Sequence, residues 1–325
     1  MQVHRQLDNL PLFTHAVITI GTFDGVHTGH QQIISQLTGE AKRVGGESVI
    51  ITFDPHPRKI LGNSTGELRL INTPEEKIEL LGKMGIDHLV IIPFTQAFSQ
   101  LTAEEYIHDF LVSGFHPHTI IIGYDHRFGK GRKGDYHLLE EQSRSARFHL
   151  LEIPVHVLDE VSVSSTRIRE AILGAEITGA NHLLGYDFFF EGLVSEGNKL
   201  GRTIGYPTAN LKIRNTEKII PGNGVYAVTV SLTPETGLPT GQSTDTPPVF
   251  SRSYGGMMNI GNRPTLGGGE RTIEVNIFDF DADIYGLTLR VEVKHHIRPE
   301  RKMSGLEALK EQLAMDKIQA ISLLG

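Results

Sequence analysis

The hydrophobic pattern of this 325-residue chain changes period once, and that change limits what it can fold into. From residue 15 to about 160, short apolar runs alternate with stretches of helical spacing. From Phe188 onward, strand-like runs follow one another without helical segments until about Ser304. Alternation of the first kind argues for a parallel sheet with helices on both faces, and the second pattern for an antiparallel barrel. The length fits two domains. Their boundary is expected between Leu184 and Gly185, giving residues 1–184 and 185–325.

Strands of the first domain are expected at Ala16–Ile20, Ser48–Phe53, His88–Phe94, His118–Tyr124 and Phe148–Ile153. Ala16–Ile20 is wholly apolar except for Thr19, as in strands buried on both faces of a parallel sheet. It stops at Gly21, turns through Phe23-Asp24-Gly25, and enters an amphipathic helix with Ile33, Ile34, Leu37, Ala41 and Val44 at helical spacing. Helical stretches are also expected at Lys77–Met84, Asp135–Ser145 and Gly174–Leu184. Thr102-Ala-Glu-Glu105 is a capping box that opens a helix to about Val112. The second domain shows strand runs at Phe188–Val194, Gly224–Leu232, Tyr254–Ile260, Thr272–Phe278 and Leu287–His295. Its terminal helix is expected to place Leu306, Leu309, Leu313 and Ile318 on one face. Pro234–Arg252 has no periodicity and reads as a hairpin insert.

Cysteine is absent, which excludes disulfides, thiolate metal sites and cysteine nucleophiles. No apolar run reaches the roughly 20 residues of a membrane span, and the first residues lack the apolar core of a signal peptide. A cytoplasmic protein without a membrane partner is expected. The formal charge of −7 argues against nucleic acid as a partner, because backbone neutralisation needs basic patches.

In parallel α/β sheets ligands sit at the carboxyl ends of strands, and the polar motifs fall there. His27 and His30 are three apart where the first long helix begins, so both rings can project from one face. Gly25 and Gly29 leave the backbone bare for a ligand, and a helix N-terminus favours an anion. These residues read as a nucleotide site that acts at a phosphate. Asp54-Pro-His-Pro57 is a rigid loop after the second strand. Gly123–Gly129, with Lys130, Gly131, Arg132 and Gly134 after it, is either a basic surface turn or a loop that closes on a phosphorylated ligand with Asp125 facing it. It lacks the Gly-Lys-Ser/Thr ending of a P-loop. Ser164 or Ser165 can cap the helix that follows. Arg167 and Arg169 near that N-terminus oppose the dipole unless they fork on a bound anion.

Gly197-Asn-Lys-Leu-Gly-Arg-Thr-Ile-Gly-Tyr-Pro-Thr-Ala-Asn210 holds the polar residues of the second domain. Gly197, Gly201 and Gly205 permit a backbone that wraps phosphates. Thr208 and Asn210, two apart, face one way if extended, and their oxygens are hard ligands suited to Mg²⁺. Spacing alone favours a plain turn on Tyr206-Pro207. Glu274, in Thr272–Phe280, is either one polar residue on a solvated strand face or a general base.

Gly21-Thr-Phe-Asp-Gly-Val-His-Thr-Gly-His30 resembles a signature of nucleotidyltransferases, most closely their flavin-adenylylating branch. Val163-Ser-Ser-Thr-Arg-Ile-Arg169 resembles a second motif of the same family. Pro207-Thr-Ala-Asn210, Asn259–Thr265, Glu274 and Asp283-Ile-Tyr-Gly286 resemble the riboflavin kinase pattern. Over essentially its full length the chain is similar to the bacterial bifunctional riboflavin kinase/FAD synthetase family. The resemblance implies a Rossmann-like FMN adenylyltransferase domain followed by a riboflavin kinase β-barrel with a terminal helix. It implies phosphorylation of riboflavin by Mg-ATP to FMN, then adenylylation of FMN by a second ATP to FAD with release of pyrophosphate, with Mg²⁺ as cofactor. It assigns His27 and His30 to charge stabilisation on the triphosphate, with Ser165 and Arg169 on the opposite side. Gly21, Phe23, Asp24, Gly25, Phe53, Asp125, Ser164 and Thr166 fall to ATP or flavin binding in the first domain. Gly201, Arg202, Gly205, Pro207, Asn259 and Arg263 do so in the second. Thr208 and Asn210 become metal ligands and Glu274 the base that deprotonates the ribityl hydroxyl. Two residues depart from the pattern: His126 stands where the family has Phe, and Asn276 where it has His. His27-Thr-Gly-His30 with Lys302-Met-Ser304 also imitates class I aminoacyl-tRNA synthetases, but Lys302 belongs to the other domain and the chain is acidic. A monomer or weak homo-oligomer acting on small molecules is expected.

Overall fold

The computed structural model describes residues 1–62, 68–123, 126–153, 163–197, 200–233, 252–263 and 270–325. Contacts divide the chain into Met1–Ser165 and Thr166–Gly325. Tyr124, Asp125 and the hairpin insert over 234–251 lie outside the described residues.

The first unit is built on β1 (Gln2–His4), β2 (Val17–Ile20), β3 (Ser48–Phe53), β4 (His88–Ile92), β5 (Thr119–Gly123) and β6 (His149–Ile153). They pair in the order β1-β4-β3-β2-β5-β6, every pair parallel, as the βα alternation requires. Side chains alternate across the sheet. Ile18, Ile20, Val49, Ile51, Ile120 and Ile122 join the core on one face with Tyr106, Ile107, Phe110 and Leu139. Val17, Ile50, Leu89, Ile91 and Ile121 join the other core, with Ile34, Leu37 and Ala41 of α1 (Thr28–Val44) and Leu81. α2 (Pro57–Leu61) is a short turn of helix after the Asp54–Pro57 loop. α3 (Pro74–Gly82) starts three residues before the apolar pattern suggests, because Thr73 and Glu76 close a capping box ahead of it. The Thr102–Glu105 capping box forms as expected, but the helix is π-helical over Tyr106–Val112 and continues through Ser113–Phe115. β1 gives no periodic signal, since three edge residues are too short to show one.

The second unit carries the helices Ser165–Leu173, which begins on the last residue of the first unit, and Ile177–Leu184. A closed antiparallel barrel follows: β7 (Phe189–Ser195), β8 (Ala209–Lys212), β9 (Gly224–Thr233), β10 (Ser253–Arg263), β11 (Glu270–Ile277) and β12 (Thr288–Arg298), in the order β10-β11-β8-β7-β12-β9. β8 is absent from the sequence expectation, where its four residues read as the end of a glycine-rich loop. The terminal helix spans Leu306–Leu324. Its buried face differs from the apolar one expected: Leu306 and Ile318 are 50% and 70% exposed, while Gln312, Asp316 and Ala320, spaced by four, are buried. Polar residues form that seam because they bond to each other and to β12. Arg298 donates to both Asp316 carboxylate oxygens, Nε at 2.9 Å and Nη2 at 2.7 Å. Gln312 donates to Asp316 at 2.7 Å and accepts from Arg301. Among the described residues no helix is long and apolar enough to cross a membrane.

Candidate active sites

In the first unit the turn after β2 is set by Gly21, where a Cβ would press on the Phe23 ring at 3.0 Å. Phe23 (φ 46°), Gly25 (φ 91°) and Val26 (φ 37°) are all left-handed. For a buried, β-branched Val26 that is a true outlier, costing about 1–3 kcal/mol, of the kind found at functional turns. Asp24 offsets it. Its buried carboxylate accepts the N–H groups of Ile71 at 3.0 Å and Asn72 at 3.2 Å. Ser165 Oγ donates to the Asp24 carbonyl at 2.9 Å, so two distant motifs meet on this turn.

The chain then enters α1 with His27 as N-cap, its Nδ1 accepting the His30 N–H at 3.4 Å. The two imidazoles stack with centroids 3.6 Å apart and planes 16° apart, and Phe23 lies 5.0 Å from His30. Burial holds His30 well below the ordinary histidine range, and the charges of His27 and Lys77 push the same way. Each of these causes favours the neutral imidazole.

Phe53 ends β3 and joins a cluster with Phe94 (5.4 Å) and Phe98 (5.6 Å). The departure at His126 keeps a ring in place: it lies 29° from the plane of Phe128, which stacks on Tyr106 at 5.0 Å. Ser164 and Thr166 are exposed. Arg169 is buried and Arg167 exposed. Two residues along a helix turn about 200°, so these side chains leave on different sides. Asp125 and the side chains of Arg202 and Arg263 lie outside the described residues.

In the barrel, strand register assembles the second site. β10 pairs β11 with Asn259 opposite Glu274, and β11 pairs β8 with Glu274 opposite Asn210. Asn259, Glu274 and Asn210 thus form a row across three strands. All three line a cavity of about 370 Å³, together with Gly201 and Thr208. Thr208 and Asn210 share this cavity, as their spacing suggests, because β8 is extended there. Thr208 and Pro207 also border a second hollow of about 690 Å³ beside Phe280–Tyr285. Gly201 lacks room for a side chain, since a Cβ would collide with the Tyr206 carbonyl, and Gly205 is left-handed (φ 84°). Asn276, the second departure, donates from Nδ2 to the Pro207 carbonyl at 2.7 Å and ties the Pro207–Asn210 segment to β11.

Sequence reading missed three participants. Lys77 appeared only as the start of a helical stretch, yet its ammonium donates to the Thr22 carbonyl at 2.7 Å inside the His27/His30 neighbourhood. Arg298 and Asp316 line the barrel cavity. An Asp four residues after a Gln within an apolar helix was the signal available for them.

Stacked histidines at a helix N-terminus suit chemistry at a phosphate, and a carboxylate beside neutral oxygen donors suits activation of a hydroxyl. Comparison with known proteins gives the same pair of activities. The family model for FAD synthetase matches residues 11–167, and that for riboflavin kinase matches residues 184–324. The chain is 34% identical to the bifunctional riboflavin kinase/FMN adenylyltransferase of Escherichia coli (strain K12), over 95% of this chain and 93% of that protein. It is 35% identical to the Listeria monocytogenes protein of the same description, over 93% and 90%. A crystal structure described as a macrolide-efflux protein from Streptococcus pneumoniae superposes with a TM-score of 0.84 at 30% identity, covering 98% of this chain and 97% of that one. The chain belongs to the bifunctional riboflavin kinase/FMN adenylyltransferase family and carries both of its domains.

Proposed function

We propose that residues 185–325 transfer the γ-phosphate of ATP to riboflavin, and that residues 1–184 adenylylate the resulting FMN with a second ATP. We set the boundary before Gly185, whose left-handed conformation (φ 76°) ends the Ile177–Leu184 helix next to the start of the riboflavin kinase match, and not at Ser165, where contacts divide the chain. In the first reaction Glu274 accepts the proton of the ribityl hydroxyl as its oxygen attacks the γ-phosphorus and ADP leaves. The row Asn259–Glu274–Asn210 is the observation that carries this reading, since it sets one carboxylate between two amides in the cavity that Thr208 also lines. The flavin ring takes the 370 Å³ cavity, against Leu309 and Leu313, and the nucleotide takes the hollow beyond Thr208.

Thr208 Oγ1 and Asn210 Oδ1 fit a magnesium ion that keeps waters and phosphate oxygens as its other ligands, being two hard donors open to one cavity. Mg²⁺ bound there would supply positive charge to the transferred phosphate. In the second reaction a phosphate oxygen of FMN attacks the α-phosphorus of ATP and pyrophosphate leaves. His27 and His30 donate hydrogen bonds to phosphate oxygens, and Ser165 and Arg169 take the roles the family motif gives them. Positioning and fixed dipoles do most of the work in both steps. The acidic balance of −7 suits small-molecule substrates, and we place the enzyme in the cytoplasm as a monomer or weak homo-oligomer. Glu274→Gln tests the first assignment. FMN formation is expected to fall by about 10²–10⁴, the usual worth of a general base, with adenylylation of supplied FMN unchanged. Undiminished FMN formation would remove Glu274 from the mechanism.

A further inference from the structure

Lys77 is the feature of the first unit that the assigned roles leave unexplained. It lies in the second turn of α3 and, unlike Lys83 at the C-cap of that helix, which pairs with Glu79 at 2.7 Å on the surface, it turns inward. Among the described residues its ammonium donates one hydrogen bond, to the Thr22 carbonyl, which also accepts from Thr52 Oγ1 at 3.1 Å. No carboxylate among the described residues stands within ion-pair distance of it. Asp24 directs Oδ1 at two backbone N–H groups, and Asp24 and Asp54 reach Lys77 only through their fields. Burial pushes the ammonium below the ordinary lysine range, with those two carboxylates acting in the opposite direction. Lys77 is half-buried, and an ammonium with three protons and one acceptor among the described residues has donors left for an anion in the hollow beside it.

The surroundings indicate which anion. Lys77 lines a small hollow at the carboxyl ends of β3 and β4 with Phe53, Asp54, His56 and Asn72, and its charge is felt at His30. The stacked imidazoles offer ring N–H groups at the start of α1. We propose that Lys77 binds a phosphate oxyanion of the adenylylation reaction, adding an ammonium to the ring N–H groups of His27 and His30. This rests on the reading of residues 1–184 as the adenylylating domain. The oxyanion belongs either to FMN or to the ATP triphosphate, and steady-state kinetics separate the two.

The test is FAD formation from FMN and ATP by the full chain, comparing wild type with Lys77→Met and Lys77→Arg, each substrate varied in turn. Riboflavin phosphorylation by the same samples reports on the intact chain. Lys77→Met is expected to raise KM for one phosphate substrate at least tenfold and leave the other KM within about threefold, a shift in FMN marking the acceptor and a shift in ATP the triphosphate. Lys77→Arg, which keeps the charge, is expected to recover most of the loss. Unchanged constants in Lys77→Met overturn the inference. So does equal impairment of both variants for both substrates, which marks Lys77 as structural. Failure of wild type to adenylylate FMN would instead overturn the domain's assignment.

Discussion

Asp316→Ala should separate the barrel's stability and flavin binding from the adenylylation reaction. Asp316 is 1% exposed and accepts three bonds from the Arg298 guanidinium and one from Gln312. Removing one member of a buried ion pair costs about 3–5 kcal/mol, mostly because the partner charge is stranded. The Arg298 side chain is 17% exposed, so water reaches part of it and the lower end, about 3 kcal/mol, applies. For a unit of this size each kcal/mol lowers Tm by about 2–4 °C, so the barrel transition should fall by about 6–12 °C. Asp316→Asn keeps one acceptor and should lose about half of that. The same network pins the helix that brings Leu309 and Leu313 to the cavity, so KM for riboflavin should rise while adenylylation of supplied FMN stays at wild-type rates. Calorimetry and product chromatography measure both. A Tm drop below about 2 °C, the size expected of an exposed pair, would refute the reasoning.

The other expectations concern single contacts. Asn276→Ala removes the bond to the Pro207 carbonyl and should raise KM for ATP in the kinase reaction about 2- to 10-fold, the worth of one neutral hydrogen bond, with Tm nearly unchanged. His30 has a folded pKa below its unfolded value, so as pH falls the unfolded chain takes up the proton first. The first unit should therefore keep this contribution above about pH 6.5 and lose it progressively below. His30→Gln should flatten that part of a Tm-against-pH curve, and a curve unchanged by the substitution would contradict the neutral assignment.

Elements whose residues carry their own signal were legible in the chain before the structure. Val17–Ile20 and Ser48–Phe53 are mostly apolar because parallel strands are covered on both faces, and Ile34, Leu37 and Ala41 repeat at helical spacing because one side of α1 meets the sheet. The site motifs were legible for the same local reason, since His27 and His30, or Thr208 and Asn210, are brought together by the element they sit on. What escaped depends on distant partners. Ala209–Lys212 becomes a strand only because β7 and β11 flank it, and Asp316 is buried only because Arg298 reaches it from β12. Lys77 joins the histidines through the fold of β2 and α3, with some fifty residues between them, and no spacing rule connects them.

The most direct test of two independent sites on one chain is complementation between variants. Glu274→Ala should make no FAD from riboflavin and ATP but should convert supplied FMN, and His30→Ala should stop at FMN. Mixed in one tube with riboflavin, ATP and Mg²⁺, the two proteins should produce FAD, because FMN released by one kinase domain reaches the intact adenylylating domain of the other. A mixture that accumulates neither FMN nor FAD would contradict the division of the two reactions between residues 185–325 and 1–184.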